Sequence, residues 1–150
     1  MADLEIRPAT AEDVPAIVGM LADDPLGARR ESPEDLTPYL AALERLRADP
    51  NQHLMVAVRA DRVVGTLQLS VIPGLSRRGA TRSVIEGVRV HADERGNGLG
   101  TRLIEWAIDA SRREGCQLVQ LTSDRTRTDA RRFYERLGFE PSHVGFKLSL

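Results

Sequence analysis

One segment constrains this chain more than any other: a glycine-rich loop between a predicted strand and a predicted long helix. Residues 83–90 form an apolar run typical of a buried strand, and periodic apolar residues from residue 99 onwards predict an amphipathic helix. The loop consists of Arg95, Gly96, Asn97, Gly98, Leu99 and Gly100. Glycines at a helix start leave backbone N–H groups accessible, and the helix dipole favours an anion there. The segment predicts a phosphate or pyrophosphate site, with a ligand-free glycine-rich helix entry as the alternative.

Two common phosphate-binding motifs do not describe this loop. The P-loop requires a lysine directly after its last glycine, and Lys147 is the only lysine of the chain. The dinucleotide fingerprint G-x-G-x-x-G has a different spacing from Gly96, Gly98 and Gly100. The spacing R-x-x-G-x-G, which begins at Arg95, resembles the coenzyme A pyrophosphate loop of the GNAT superfamily of N-acetyltransferases.

Composition predicts one soluble domain over residues 1–150. A chain of this length can bury a full core, and its 29% of charged residues is typical of a soluble globular protein. The formal net charge of −1 provides no global field that would recruit nucleic acid, although a local basic patch is left open. We therefore expect no nucleic-acid partner.

Cysteine usage and hydropathy predict a cytoplasmic protein without a membrane contact. A single cysteine, Cys116, excludes an internal disulfide, and its apolar context predicts a buried, inert thiol. No start resembles a signal peptide, and no apolar run approaches the ~20 residues of a membrane span. His53, His91 and His143 are scattered along the sequence, so we predict no metal site.

Hydrophobic periodicity predicts the element order β-α-α-β-β-β-α-β-α-β, an α/β or α+β sandwich with a mixed sheet. Helices are predicted to begin near Thr10, Ser32, Leu99 and Thr128. The predicted strands cover residues 4–8, 54–60, 63–72, 83–90, 118–122 and 139–150. The buried face of the second helix is predicted to carry Leu36, Leu40, Leu43 and Leu46. Gly65 inside the third strand suggests a bulge or a close backbone contact.

A second motif near the end of the chain strengthens the resemblance. Residues 130–139 read A-x-x-F-Y-x-x-x-G-F, which looks like the second GNAT signature. Both motifs and the element order are similar to that superfamily over the whole chain. The resemblance implies a mixed, mostly antiparallel seven-stranded sheet with a splayed central parallel pair and about four helices on both faces. It also implies acetyl-CoA as the acyl-donor cosubstrate.

The resemblance further implies which groups hold the coenzyme. The backbone N–H groups of the glycine loop would bind the pyrophosphate, together with Thr101 and Arg102 at the helix start. Spare backbone groups on the central strand would hold the pantetheine arm at Val88, Arg89 and Val90, with the N–H of Val88 facing the thioester oxygen. Core packing is the alternative for the valine side chains.

Two residues are predicted to carry the chemistry. Glu86 is a carboxylate on an otherwise apolar strand, costly to bury unless it is paired or used. Its position resembles that of the glutamate base of spermidine/spermine N-acetyltransferases, and strict alternation would put it on the face of Val88 and Val90. A salt bridge with Arg82 or Arg89 is the alternative.

Tyr134 matches the tyrosine of the second signature, whose phenol would reprotonate the departing thiolate. Its ordinary pKa near 10 suits that role, and a purely structural core tyrosine is the alternative. Many members of the superfamily carry an asparagine where this chain has Arg127. We therefore expect the coenzyme to be held differently here, by Arg127, with Arg131 or Arg132 as the alternatives near its phosphates.

These features predict transfer of an acetyl group to a primary amine of a small molecule, by direct attack in a ternary complex. The C-terminal part is similar to aminoalkylphosphonate N-acetyltransferases, although both signs of charge in the acceptor loops select no class. An acetyl-CoA sensor without turnover, an enzyme acting on a protein or peptide amine, and a partner-binding domain are alternatives. A homodimer is left open.

Overall fold

The computed structural model describes residues 3–150, which cluster into two compact units, residues 3–120 and Leu121–Leu150. The strands are β1 (Leu4–Pro8), β2 (Gln52–Arg59), β3 (Arg62–Ile72), β4 (Arg82–Val90) and β5 (Leu118–Leu121). The helices are α1 (Val14–Ala22), α2 (Gly27–Arg30), α3 (Thr37–Ala48), α4 (Ser76–Gly79), α5 (Leu99–Arg113) and α6 (Thr128–Arg136). Within residues 3–150, no helix has the length and apolar character needed to cross a bilayer.

A mixed sheet of five strands in the order β1-β2-β3-β4-β5 forms the framework. The pairs β1–β2, β2–β3 and β3–β4 are antiparallel. The N–H of Gln117 donates to the carbonyl of Thr81 at 2.8 Å, which brings the starts of β5 and β4 side by side, as in a parallel pair. The predicted α/β fold with a mixed sheet is therefore confirmed.

The predicted strand over residues 139–150 is not found in the described part of the chain, and neither is a seven-stranded sheet. The segment alternates apolar and polar residues, as a strand does, but backbone pairing needs a neighbouring edge as well as a pattern. Its side chains from Val144 to Leu150 are exposed.

Helices cover both faces of the sheet. On one face, Leu103 and Ile104 of α5 are fully buried, as are Leu67 and Leu69 of β3. On the other face, Ile17 of α1 packs with Val56 of β2 and with Ala9, which follows β1. Burial of these side chains supplies the main stabilisation, at about 25 cal/mol per Å² of apolar surface.

Gly65 lies in β3 at a point where Leu103 of α5 packs closely on the sheet. A Cβ built on Gly65 would lie 3.1 Å from Cδ1 of Leu103 and 3.3 Å from the carbonyl oxygen of Arg89. The register between β2 and β3 also shifts between Ala57 and Val58, beside this glycine. Both the predicted bulge and the close backbone contact are confirmed.

Helix α3, the second of the predicted helices, begins at Thr37 and not near Ser32 as predicted. Residues 32–36 form a turn, because the N–H of Ser32 donates to the Tyr39 hydroxyl at 2.8 Å and Asp35 accepts from the N–H of Thr37. Only Leu43 of the four predicted leucines is fully buried, and Leu40 is exposed. Apolar spacing located this helix, but local side-chain hydrogen bonds determine its start.

Candidate active site

The N-terminal end of α5 opens onto a cradle of backbone groups. Gly98 occupies the N-cap position with φ of 77°, and Gly96 has φ of 84°, both in the left-handed region that favours glycine. No side chain caps this helix. A Cβ built on either glycine would meet no atom within 4 Å, so the space in front of the loop is open. The geometry fits an anion that accepts hydrogen bonds from the N–H groups of the first turn.

The first residues of α5 differ in how far their side chains are buried. The side chain of Leu99 is buried in the core, which fixes the position of the first turn. Gly100 and Thr101 are half-buried, whereas Arg102 is exposed. The hydrogen bond that begins the helix joins the N–H of Arg102 to the carbonyl oxygen of Gly98 at 3.2 Å. The predicted pyrophosphate residues therefore surround one open helix end.

Ion pairs hold the glycine loop and the residues before it in place. Arg59 of β2 donates to the carboxylate of Glu94 at 2.7 Å, and both side chains are largely buried. Asn97 donates to the same carboxylate at 3.3 Å. Arg95 is more exposed and lies 3.4 Å from Asp23, at the end of α1. The loop therefore has a fixed base, while its arginine stays at the surface.

β4 carries a bulge at Gly87 that decides which side chains share a face of the sheet. Gln68 pairs with Glu86 and Thr66 pairs with Arg89, so three steps along β4 match two along β3. Gly87 has φ of 63°, consistent with an extra residue inserted at this point. Because Thr66 and Gln68 share a face of β3, their partners Glu86 and Arg89 also share one.

The register corrects the expectation that Glu86 shares a face with Val88 and Val90. Val90 pairs with Gly65, which faces the α5 side of the sheet, opposite to Glu86 and Arg89. Val88 lies within the bulge, and both valines are half-buried. Strict alternation along β4 was the wrong assumption, because the bulge shifts the pattern by one residue.

Glu86 is exposed rather than buried, so the cost of burying a charge does not apply to it. Among residues 3–150 its carboxylate has no ion pair or hydrogen bond, and the alternative of a salt bridge with Arg82 or Arg89 is not found. Arg89 instead lies 3.4 Å from the carboxylate of Asp24 and donates to the carbonyl of Val88 at 2.8 Å. This face of β4 therefore presents an accessible carboxylate and a held guanidinium.

Sequence reasoning did not foresee the pairing of two neighbouring aspartates with these arginines. Asp23 and Asp24 follow α1, about 70 positions before Arg95 in the sequence. No local pattern links residues so far apart, so only the fold reveals that the end of α1 contacts both the loop and β4.

Tyr134 and Arg127 belong to the second unit. Tyr134 is half-buried on α6, and its ring packs edge-on against Phe133 and Phe139 at 5.2 and 5.9 Å between centroids. Arg127 is the N-cap residue of the same helix and is half-buried. Aromatic packing holds the Tyr134 ring in place, which suits either of the two predicted roles.

Cys116 is half-buried, and burial, followed by the nearby Glu114 carboxylate, raises the pKa of its thiol. A neutral thiol is a poor nucleophile at pH 7, which supports the predicted inert role. Residues 3–150 contain no cluster of three His, Cys, Asp or Glu side chains that could hold a metal ion.

Comparison with known proteins gives consistent results. The profile of the acetyltransferase (GNAT) family matches residues 15–139. The chain is 30% identical over 146 residues to the aminoalkylphosphonate N-acetyltransferase of Salmonella typhimurium, covering 97% of this chain and 91% of that protein. Over 89 residues it is 37% identical to a glucosamine 6-phosphate N-acetyltransferase of Trypanosoma brucei brucei, covering 59% of this chain and 58% of that protein.

A solved structure described as a transcriptional regulator from Bacillus halodurans C-125 superposes with a TM-score of 0.95. It is 44% identical in sequence, and the alignment covers 99% of this chain and all of the other.

Proposed function

Because this chain belongs to the acetyltransferase (GNAT) family, we propose that it transfers an acetyl group from acetyl-CoA to a primary amine of a small molecule by direct attack in a ternary complex. Members of the family use acetyl-CoA as the acyl donor. The observation that carries the proposal is the open N-terminal end of α5, where two left-handed glycines leave backbone N–H groups accessible.

The glycine loop holds the pyrophosphate of the coenzyme in this proposal. The N–H groups around Gly98 and Gly100 donate to its oxygens, and the dipole of α5 adds to the attraction. Arg95 and Arg102 lie at the rim and contribute positive charge. The acyl thioester supplies the activated carbonyl. In this proposal the N–H of Val88, which lies within the bulge of β4, donates to the carbonyl oxygen.

Glu86 removes the proton that the acceptor ammonium must lose before it attacks. Its accessible carboxylate is not neutralised by a neighbouring arginine, so it can accept that proton directly or through one water molecule. General base catalysis of this kind typically contributes a factor of about 10² to 10⁴ in rate. In the same proposal Tyr134 donates its phenolic proton to the leaving thiolate, and Arg127 binds the coenzyme.

The two curated relatives favour an acceptor that carries a phosphonate or phosphate group near its amine. Glu86 and Arg89 fit such an acceptor, because they share a face and lie opposite two β3 residues that are two positions apart. That spacing separates their Cα atoms by roughly 7 Å. The carboxylate would receive the ammonium group while the guanidinium binds the anion, with Asp24 giving up part of its contact.

Release of free thiol from acetyl-CoA tests the proposal. We expect turnover with 2-aminoethylphosphonate or glucosamine 6-phosphate, and a much higher KM for amines of the same length without the anion. Glu86→Gln is expected to lower kcat by about 10² or more, because an amide cannot accept the proton of the ammonium group. Failure of every amine in a broad panel, with coenzyme binding intact, would contradict the proposed activity.

A sensor that binds acetyl-CoA without turnover is the second candidate, favoured by the description of the Bacillus halodurans protein as a transcriptional regulator. Both candidates predict thermal stabilisation by the coenzyme, about 2.7 kcal/mol at 100 times its Kd. Only the enzyme releases thiol with an amine, so the two assays together separate the candidates.

A further inference from the structure

We propose that Gln68 of β3 binds the acceptor amine together with Glu86 and thereby favours amines over alcohols as acceptors. Gln68 lies directly opposite Glu86 in the β3–β4 register, so both side chains project from the same face of the sheet. The Cβ atoms of such a pair are roughly 5 Å apart. This role rests on the proposed function, in which the carboxylate of Glu86 receives the ammonium group.

Hydrogen bonds to the neighbouring strand β2 fix the side-chain amide of Gln68. Its Nε2 donates to Oε1 of Gln52 at 3.1 Å, and the same oxygen accepts from the Ser70 hydroxyl at 2.7 Å. Gln52 belongs to β2, which lies on the opposite side of β3 from β4. Because the nitrogen of the Gln68 amide is held towards β2, its carbonyl oxygen is left for the side of Glu86.

The carbonyl oxygen of Gln68 has no donor of its own. Within residues 3–150 no group donates a hydrogen bond to it, although the side chain is half-buried. Polar groups that lose water on folding are usually paired. This oxygen and the carboxylate of Glu86 are therefore two neighbouring acceptors, and a positively charged donor between them would satisfy both.

The rest of this sheet face differs from the Gln68–Glu86 pair. Val56 is fully buried and packs with Ile17 of α1, and Leu54 packs against the same cluster. Thr66, two residues before Gln68 on β3, is also buried, but its hydroxyl donates to a backbone carbonyl of β2 at 2.8 Å. The sheet thus satisfies its own polar group where α1 covers it, and leaves acceptors open beside the accessible carboxylate.

Selectivity for an amine follows from the number of hydrogens on the attacking atom. A primary ammonium group has three N–H donors, and the amine keeps two after one proton passes to Glu86. One of these donates to Gln68, which leaves the lone pair free to attack. An alcohol has a single O–H, which Glu86 takes, so its oxygen faces the carbonyl of Gln68 with no hydrogen between them. Two such oxygens repel each other, which disfavours an alcohol.

Paired probes test the proposal by calorimetry on the full chain saturated with coenzyme A. Glucosamine 6-phosphate and glucose 6-phosphate differ by an amine in place of a hydroxyl, and 2-aminoethylphosphonate and ethylphosphonate by an amine in place of a hydrogen. In Gln68→Met, which keeps the side-chain length and removes the amide, we expect the Kd of each amine to rise about tenfold or more. The Kd of each amine-free probe should stay close to that of the wild type.

A merely structural role for Gln68 would weaken both members of a pair equally, and that result would overturn the proposal. A wild type without preference for the amine in either pair would overturn it too. The matched control is Gln117→Met, which changes an exposed glutamine at the start of β5 and should leave every Kd unchanged. The melting temperature and the Kd for coenzyme A show that each variant is folded.

Gln52 is a positioning residue, because it acts on the amine only through Gln68. Gln52→Glu keeps an acceptor for Nε2 of Gln68 and should retain at least the wild-type preference for the amine. Gln52→Met removes that acceptor, frees the Gln68 amide to rotate, and should lose part of the preference. Equal preferences in the two Gln52 variants would contradict this positioning.

Thiol release from acetyl-CoA separates the role of Gln68 from the proposed function. With turnover, Gln68→Met should raise the KM for the amine about tenfold or more, with a smaller change in kcat. Turnover with a wild-type KM in this variant would overturn the role of Gln68 and leave the function intact. Preferential amine binding without any thiol release would overturn the function, and the paired probes would still decide the role of Gln68.

Discussion

The two ends of helix α5 have similar backbones and opposite functions. Gly98 at the N-terminal end and Gly115 at the C-terminal end have φ of 77° and 78°, and a Cβ on either would meet nothing within 4 Å. At the C-terminal end the orphan carbonyls find partners, because Gly115 donates to Arg112 and Cys116 donates to Ser111. At the N-terminal end no side chain caps the helix. A satisfied helix end is structural, whereas an open one of this geometry is available to a ligand.

The largest expected difference comes from adding one methyl group at each end. Gly98→Ala and Gly115→Ala should each lose about 1–2 kcal/mol of stability, because both positions need a left-handed backbone. Only Gly98→Ala puts its methyl group in front of the N–H groups that receive the pyrophosphate. We expect its Kd for coenzyme A to rise tenfold or more, with Gly115→Ala close to wild type, as measured by calorimetry. Equal losses of affinity would break the comparison.

The ion pair that supports the N-terminal end of α5 can be removed without changing the glycines. Arg59→Met removes the cation from the carboxylate of Glu94 and leaves that group largely buried without its charge partner. We expect a loss of about 2 kcal/mol in urea unfolding and a weaker coenzyme affinity, by several-fold. The matched control is Arg62→Met, whose partner Asp93 is exposed, so both effects should be small there. Similar losses in the two variants would contradict a supporting role for Arg59.

A substitution near the C-terminal end of α5 is expected to lower stability and leave coenzyme binding unchanged. Ser111 is buried near the C-terminal end of α5, where its Oγ lies 2.7 Å from Oγ of Ser83 and donates to the carbonyl of Ala107. Ser111→Ala leaves Ser83 without this partner and should cost about 1–2 kcal/mol of unfolding free energy. The affinity for coenzyme A should not change. A weakened affinity would mean that both ends of α5 affect the binding site.

The start of α1 is a third helix end, and its contribution to stability is expected to depend on pH. Asp13 closes the entry to α1, where its carboxylate accepts from the N–H of Thr10 at 2.8 Å and from Arg7 at 2.7 Å. The hydrogen bond from Arg7, which outweighs burial, lowers the pKa of Asp13 below its ordinary value. Its stabilisation is therefore complete above the unfolded pKa near 3.9 and is lost as pH falls through the folded pKa.

Asp13→Asn should accordingly cost about 1–2 kcal/mol at pH 7, and the gap to the wild type in urea midpoint should shrink below about pH 4. A gap that stays constant down to pH 2 would contradict the ionised cap. Binding of coenzyme A should not differ between the two proteins at pH 7.

Much of the fold was predictable from local patterns. The glycine loop and the start of α5 at Leu99 followed from spacing and glycine chemistry alone. Features decided by partners distant in the sequence were not predictable. The bulge at Gly87 depends on how β4 pairs with β3, so strict alternation put Glu86 on the wrong face. The pairing of Asp23 with Arg95 required the fold itself.

Amide resonances of the ¹⁵N-labelled protein test the central claim most directly, by titration with coenzyme A and separately with pantetheine, which lacks the diphosphate. The account predicts that coenzyme A shifts the amides of Gly96, Gly98 and Gly100 strongly, and that pantetheine leaves them in place. Binding of coenzyme A with these three amides unmoved would contradict the account.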